Sequence, residues 1–168
     1  MTLRPTTPAD APAIAALYRR VSAAGGGLAR QPDEITDEYA AEFVANSRAR
    51  GTALVAEVEG QIVGEIHAYG TGLRAFAHVL GELTVAVDPA FQGRGIGRQL
   101  FGALLADVQA RQPHIRRVEL LARESNAGAI RLYESLGFRR EGRLEGRIAV
   151  DGRIEADIPL AWYAPAAN

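Results

Sequence analysis

Seventeen residues near the middle of the chain, Glu82 to Arg98, limit the possible folds more than any other stretch. They read Glu-Leu-Thr-Val-Ala-Val-Asp-Pro-Ala-Phe-Gln-Gly-Arg-Gly-Ile-Gly-Arg. The apolar run from Val79 to Val87 predicts a strand, and Asp88-Pro89 stops it. Glycines follow at 93, 95 and 97, and then the hydrophobic period changes. Ile96, Leu100, Phe101, Leu104, Leu105 and Val108 form one helical stripe, so a helix begins directly out of the loop. A strand, a glycine loop and a new helix N-terminus together suit an anion. Glycines let the backbone come close, successive N–H groups converge, and the helix presents its positive end. Arg94 and Arg98 add positive charge. The same glycines also fit a tight strand-to-helix turn, although three alternating glycines exceed what one turn needs.

The flanking segments predict the rest of the architecture. Leu3-Arg4 reads as a short first strand. Thr7, Pro8 and Asp10 then form a capping-box-like start to a helix whose apolar face is Ile14, Leu17, Tyr18 and Val21. Gly25-Gly26-Gly27 breaks that helix, and Ala24 to Pro32 reads as a flexible loop. A second helix starts at Thr36, carries Tyr39, Phe43 and Val44, and ends before Gly51. Ala53 to Val58 and Ile62 to Tyr69 are strands joined by a hairpin signal at Glu59-Gly60-Gln61. After the central helix come a strand at Val118 to Leu121 and a helix at Ala127 to Leu136, closed by Gly137 as its left-handed cap. Two last strands, Phe138 to Val150 and Arg153 to Trp162, flank the tight-turn pair Asp151-Gly152. Pro159 inside the last one predicts a bulge or an edge position. The tail from Ala164 to Asn168 is expected to fray. The order β-α-α-β-β-β-α-β-α-β-β is an α+β pattern with one sheet and helices on both faces. At 168 residues, positions 1–168 fit a single domain.

Composition narrows the chemistry. The chain has no cysteine, which removes thiol nucleophiles, thiolate zinc sites and disulfides. It has no lysine either: all 19 basic residues are arginine, so a Schiff-base lysine and a P-loop lysine are excluded. A net charge of −1 argues against a nucleic-acid binder. No apolar run approaches the roughly 20 residues of a membrane span, and Met1 to Pro5 lacks the apolar core of a signal peptide. The expected location is cytoplasmic, with no membrane partner.

Spacing then separates the phosphate ligands. In a dinucleotide fingerprint the third glycine would fall on Leu100 counted from Gly95, or on Arg98 counted from Gly93. The pattern present is Gln-x-x-Gly-x-Gly, at Gln92, Gly95 and Gly97. Downstream stands Asn126-Ala-Gly-Ala-Ile-Arg-Leu-Tyr133-Glu-Ser-Leu-Gly137-Phe138. With these two segments in this order, the chain resembles the GNAT superfamily of N-acetyltransferases. Their pyrophosphate loop reads Gln/Arg-x-x-Gly-x-Gly/Ala after a strand, and a later segment reads Asn-x-x-Ala-x-x-x-Tyr-x-x-x-Gly-Phe. The resemblance implies a mostly antiparallel mixed sheet and acetyl-coenzyme A as cosubstrate. It implies cofactor contacts at Val85, Val87, Gln92, Gly93, Arg94, Gly95, Ile96, Gly97, Arg98, Asn126, Ala129 and Tyr133. It also implies catalytic roles for Glu82, as the base that deprotonates an amine, and for Tyr133, which serves the leaving thiolate. Arg140-Glu141-Gly142, Val150 to Arg153 and Asp157 resemble the ending of bacterial amino-acid acetyltransferases. Phosphinothricin-type, diamine and ribosomal-protein acetyltransferases share parts of that ending.

Each candidate also has a purely structural reading. Asn126 is a preferred helix cap. Tyr133 lies two turns beyond Asn126 on the same helix face and suits a core tyrosine. Glu82 could be a solvated edge residue in a strand. His67, His78 and His114 show no metal spacing, and His78 is the alternative base. Asp37 and Glu38 complement a helix dipole after the Thr36 cap, while the wider Asp33 to Glu38 run could attract a cationic substrate. Arg74 is a candidate fork for a substrate carboxylate, or an exposed loop residue.

The expected function is acetyl transfer to a primary amine, with the α-amino group of a small amino acid or analogue as acceptor. A polyamine or protein N-terminus as acceptor, a non-catalytic acyl-coenzyme A sensor and a nicotinamide-dependent enzyme are the rivals. The expected partner is a small-molecule amine, and a homodimer remains open.

Overall fold

The computed structural model describes residues 1–25, 27–150 and 152–165. Gly26 of the glycine run, Asp151 of the expected turn and residues 166–168 of the expected frayed tail lie outside the described residues.

The chain opens with β1 (Thr2–Pro5), a 3₁₀ turn over Pro8–Asp10 and α1 (Ala11–Ala23). Asp10 fixes that start, because its carboxylate accepts from the Thr7 N–H at 2.7 Å and the Thr7 hydroxyl at 2.9 Å. In α2 (Asp37–Arg50), the Thr36 hydroxyl oxygen caps the first turn by accepting from the Tyr39 N–H at 3.1 Å. Next come β2 (Gly51–Val58) and β3 (Gln61–Tyr69), joined at Glu59-Gly60, and then β4 (Val79–Val87). α3 (Ile96–Arg111) buries all six residues of its predicted stripe. β5 (Arg117–Arg123) and α4 (Ala127–Ser135) follow, and α4 ends at a left-handed Gly137, past which the Phe138 N–H donates to the Tyr133 carbonyl at 3.1 Å.

The remaining strands are β6 (Arg139–Arg140), β7 (Leu144–Val150) and β8 (Arg153–Tyr163). The single strand expected from Phe138 to Val150 is therefore two pieces. Pro159 accounts for the break. On one flank β8 pairs with β5, placing Leu121 opposite Pro159. On the other flank Arg140 pairs with Leu160 and Leu144 with Asp157, and the intervening chain leaves the ladder where Pro159 has no N–H to offer. The Glu141 N–H donates to the Pro159 carbonyl at 2.9 Å, which satisfies the acceptor.

The eight strands form one sheet in the order β1-β2-β3-β4-β5-β8-β6, with β7 also paired to β8. All pairings are antiparallel except β4 with β5. Those two strands pair at only two positions, Val79 with Arg117 and Leu80 with Val118. Beyond Leu80 they diverge, and this opening positions the site.

Helices cover both faces. On one, Leu100, Phe101 and Leu104 of α3 and Ile130 and Tyr133 of α4 pack on Ile66, Leu80, Val118 and Leu160. On the other, Ile14 and Leu17 of α1 and Phe43 and Val44 of α2 cover Val55, Ile62 and Ala86. Because both faces of the central strands are buried, their side chains read as an apolar run rather than a clean alternation. No helix among the described residues is long and apolar enough to cross a membrane.

Candidate active site between the diverging strands

The loop after β4 is set up by Asp88. This buried carboxylate accepts from the Ala90 N–H at 3.0 Å and from Nε of Arg20 on α1 at 2.9 Å, which ties the loop to the opposite face of the sheet. Gly95 then stands at the N-cap of α3 with φ 77° and ψ 7°, a left-handed conformation that costs an L-residue roughly 1–2 kcal/mol. A Cβ added there meets no protein atom closer than 4.0 Å, so the position faces open space. The first N–H groups of α3 are the unsatisfied donors that every helix start presents. This is the cradle that a pyrophosphate requires.

A cleft of about 880 Å³ begins at this cradle, lined by Gln92, Gly93, Gly95, Ile96, Gly97 and Arg98. Val85 and Val87 from β4 and Asn126, Ala129 and Tyr133 from the α4 side complete the predicted set. Arg94 is the exception. It folds back over the Phe91 ring at 4.9 Å and donates to the Ala90 carbonyl at 3.1 Å, leaving the cleft without its charge. Arg98 donates to the Ser135 hydroxyl at 2.8 Å, which links α3 to α4.

Asn126 does cap α4, its Oδ1 accepting from the Ala129 N–H at 3.3 Å. Its amide nitrogen lies against Gly27, where an added Cβ would stand 2.8 Å away. Gly27 also has φ 87°, a conformation that favours glycine, and Gly27 stands against the α4 side of the cleft. Gly25 and Gly27 line it. The segment between α1 and α2 has no periodicity to reveal this placement.

A second cavity, of about 670 Å³, lies between β4 and β5 and includes Glu82, Glu119, Arg147 and Asp157. The two clefts share Gly27, Val85, Arg123 and Tyr133, so they meet at the Tyr133 ring. Tyr133 is 9% exposed and packs against Phe101 with centroids 5.1 Å apart. Burial pushes its phenol up to about 12. Its hydroxyl has no hydrogen-bond partner among the described residues. The Nε atom of Arg123 is likewise buried without a partner among them. Asp157 is buried and accepts from Arg147 at 2.7 Å.

Glu82 stands on a β-bulge. His67 pairs with Thr84 and Tyr69 with Gly81, so Ala68 on β3 faces two residues of β4, Leu83 and Glu82. Glu82 has φ 47°, one of only two non-glycine residues with positive φ among the described residues. A bulge re-aims the side chain and holds backbone strain of about 1–3 kcal/mol, a pattern concentrated at functional sites. Glu82 is exposed, and it lines both the second cavity and a third, smaller one of about 280 Å³ beside Tyr39, Tyr69 and His67. Neither the bulge nor the third cavity leaves a signal in residue spacing.

His67 is buried in a polar cluster. Its Nδ1 lies 3.2 Å from the fully buried Glu65 carboxylate, which also accepts from the Tyr18 hydroxyl. Burial, and then the neighbouring Glu65, push the Tyr18 phenol well above its ordinary value. His78 is exposed at the start of β4, and His114 follows α3. Arg74 does not reach the cleft. It lies in a 3₁₀ turn and lines a separate depression at the start of β4, with Arg48, Arg50 and Arg111.

The family model of the Acetyltransferase (GNAT) family matches residues 14–138, three quarters of the chain. The chain belongs to this family. The GNAT chain is 49% identical over 63 residues to the "[Ribosomal protein bS18]-alanine N-acetyltransferase" of Salmonella typhimurium, covering 36% of this chain and 41% of that protein. It spans 15% to 55% of the length of the curated relatives it matches. Among solved structures it is similar to a ribosomal-protein-alanine N-acetyltransferase from Brucella melitensis, at 28% identity and a TM-score of 0.84 over 98% of this chain and 100% of that one. The fold is shared with a GNAT superfamily phosphinothricin acetyltransferase from Sinorhizobium meliloti solved in complex with AcCoA, at 23% identity and a TM-score of 0.83 over 96% and 87% of the two chains.

For a GNAT chain, the arrangement offers an anion cradle at one end of a continuous cleft and an acidic side chain at the other. Between them, β4 has no β5 partner beyond Leu80. The Val87 carbonyl on that edge accepts from the Gln92 side-chain amide at 3.1 Å, and the β4 backbone short of it lies open to bond a ligand amide or a developing oxyanion.

Proposed function

We propose that this chain transfers an acetyl group from acetyl-coenzyme A to a primary amine, and that the acceptor is the α-amino group of a small amino acid or close analogue. The observation that carries the reading is the meeting of two clefts at Tyr133, with the glycine cradle on one side and Glu82 on the other. Acetyl-coenzyme A supplies a thioester whose carbonyl an unprotonated amine can attack. The chain's residues supply position and proton traffic. Gln92 to Arg98 hold the pyrophosphate, and Val85, Val87, Asn126 and Ala129 line the path to the thioester. An α-amino group has a pKa near ~8 and must shed a proton first, which Glu82 accepts directly or through water. Holding both reactants in connected clefts makes the attack effectively intramolecular.

Tyr133 faces the leaving sulfur. Burial pushes its phenol up to about 12, so it stays protonated at neutral pH and can donate. Tyr133 therefore donates a hydrogen bond to the thiolate and retains its proton.

The test is a thiol-release screen of amino acids, their esters, polyamines and N-terminal peptides. Fastest turnover is expected with a free amino acid. Faster turnover of spermidine, together with indifference to esterifying the amino acid, would sink the acceptor assignment. Coenzyme A binding with no thiol release from any amine would replace transfer with sensing.

A further inference from the structure

The small cavity beside Glu82 has a charge pattern that the rest of the site does not explain. It encloses about 280 Å³, enough for a small molecule and too little for a folded peptide segment. Its walls include Tyr39 and Tyr69, its carboxylates are Glu42 and Glu82, and it holds one cation, Arg30. The Arg30 guanidinium lies 4.0 Å from the centre of the Tyr39 ring. Tyr39 is braced in turn by Phe43, with ring centroids 5.2 Å apart. Arg30 makes no ion pair with any carboxylate among the described residues.

An arginine resting over an aromatic ring still has N–H groups to offer a carboxylate, since its guanidinium carries five donors. The main-chain carbonyl of Arg30 is fixed as well, since it accepts from the Ser22 hydroxyl at 2.7 Å. Glu82, on its bulge, belongs to the same cavity. With Glu42 and Glu82 as carboxylates and Arg30 as the guanidinium, a ligand that carries both an amino group and a carboxylate finds an opposite charge for each. A polyamine would meet Arg30 as a like charge, whereas a zwitterion meets complementary charges at both ends.

We infer that Arg30 is the specificity-determining residue for the acceptor: it holds the carboxylate of a small zwitterionic amine whose amino group faces Glu82. This rests on the acetyl-transfer reading above, and it gives the carboxylate role to Arg30 in place of Arg74.

The experiment measures thiol release with each standard amino acid and with the matching carboxamide, for the wild-type protein, Arg30→Gln and Arg30→Lys. Acetyl-coenzyme A affinity by calorimetry verifies that each variant is folded. The wild type is expected to prefer the best acid over its amide at least tenfold in kcat/KM. Arg30→Gln should erase most of that preference through a higher KM for the acid, and Arg30→Lys should restore part of it. A structural role through Tyr39 would lower acid and amide turnover alike, which overturns the assignment. An unaltered preference in Arg30→Gln, or none in the wild type, also overturns it while leaving acetyl transfer standing. Absence of thiol release from every amine would remove both readings together.

Discussion

Gly95 concentrates two demands on one residue. It must adopt a left-handed backbone, and it must present no side chain to the cleft. Gly95→Val should violate both, lowering unfolding stability by about 1–2 kcal/mol and coenzyme A affinity at least tenfold, about 1.4 kcal/mol. Gly95→Asn separates them, since Asn tolerates the backbone and still fills the approach. Unchanged affinity in either folded variant, measured by calorimetry, would remove the loop from the binding site. At Tyr133, replacement by Phe should cut kcat roughly tenfold, below the general-acid range of ~10²–10⁴, because the phenol donates a hydrogen bond without surrendering its proton. Coenzyme A affinity should change little. Equal kcat in the two proteins, with chemistry shown to be rate-limiting, would leave Tyr133 as a core residue only. The family resemblance named Val85, Val87, Gln92, Asn126 and Tyr133, and the fold brings all five to the lining of one cleft. Arg94 does not join them because its side chain folds onto the Phe91 ring and the Ala90 carbonyl, and Arg74 stands in a 3₁₀ turn beside a separate depression; residue spacing carries no information about either placement.

Among the elements, period and punctuation located β4 and the start of α3 to the residue, since the apolar run of β4 has a definite stop and the helical stripe begins at Ile96. The break between β6 and β7 was foreshadowed only at Pro159, one strand away, because its cause is a missing donor across the ladder. The Glu82 bulge was invisible for a similar reason: register is a relation between strands, and no single strand encodes it. The segment between α1 and α2 reads as loop, and among its described residues only Pro32–Glu34 form a regular turn, yet it contributes lining to three cavities. How such a segment depends on its anchors is testable through Asp88, which joins α1 to the cofactor loop. Asp88→Ala leaves Arg20 unpaired and Ala90 uncapped, and should cost roughly 2 kcal/mol. Asp88→Asn keeps the cap acceptor and should recover about half. A urea midpoint in Asp88→Ala matching that of the native protein would show that the anchor is ornamental.

For the molecule as a whole, the buried phenols set the response to alkali. Tyr133 is held near 12 when folded and lies near ~10 when unfolded. Below about pH 10 both states keep the proton and stability is flat in this respect; above it the unfolded chain releases the proton first, so stability falls as pH rises toward 12. Tyr18, raised in the same direction, adds to the decline. Urea midpoints between about pH 8 and pH 11 should fall at the upper end, and fall less in Tyr133→Phe. Midpoints that stay level above pH 10 would contradict this burial effect. The two-position contact between β4 and β5 bears on the molecule in another way. Backbone bonding is nearly severed halfway across the sheet, and the halves are joined mainly by what packs above and below them. Amides on the facing edges of β4 and β5 should exchange with deuterated solvent faster than those of the β2–β3 hairpin. A cosubstrate bound along that seam would act as mortar, slowing their exchange and raising the melting temperature with its concentration. A chain bridged in this way would be whole across its sheet only while loaded, and its apo form should be the one that proteases find first.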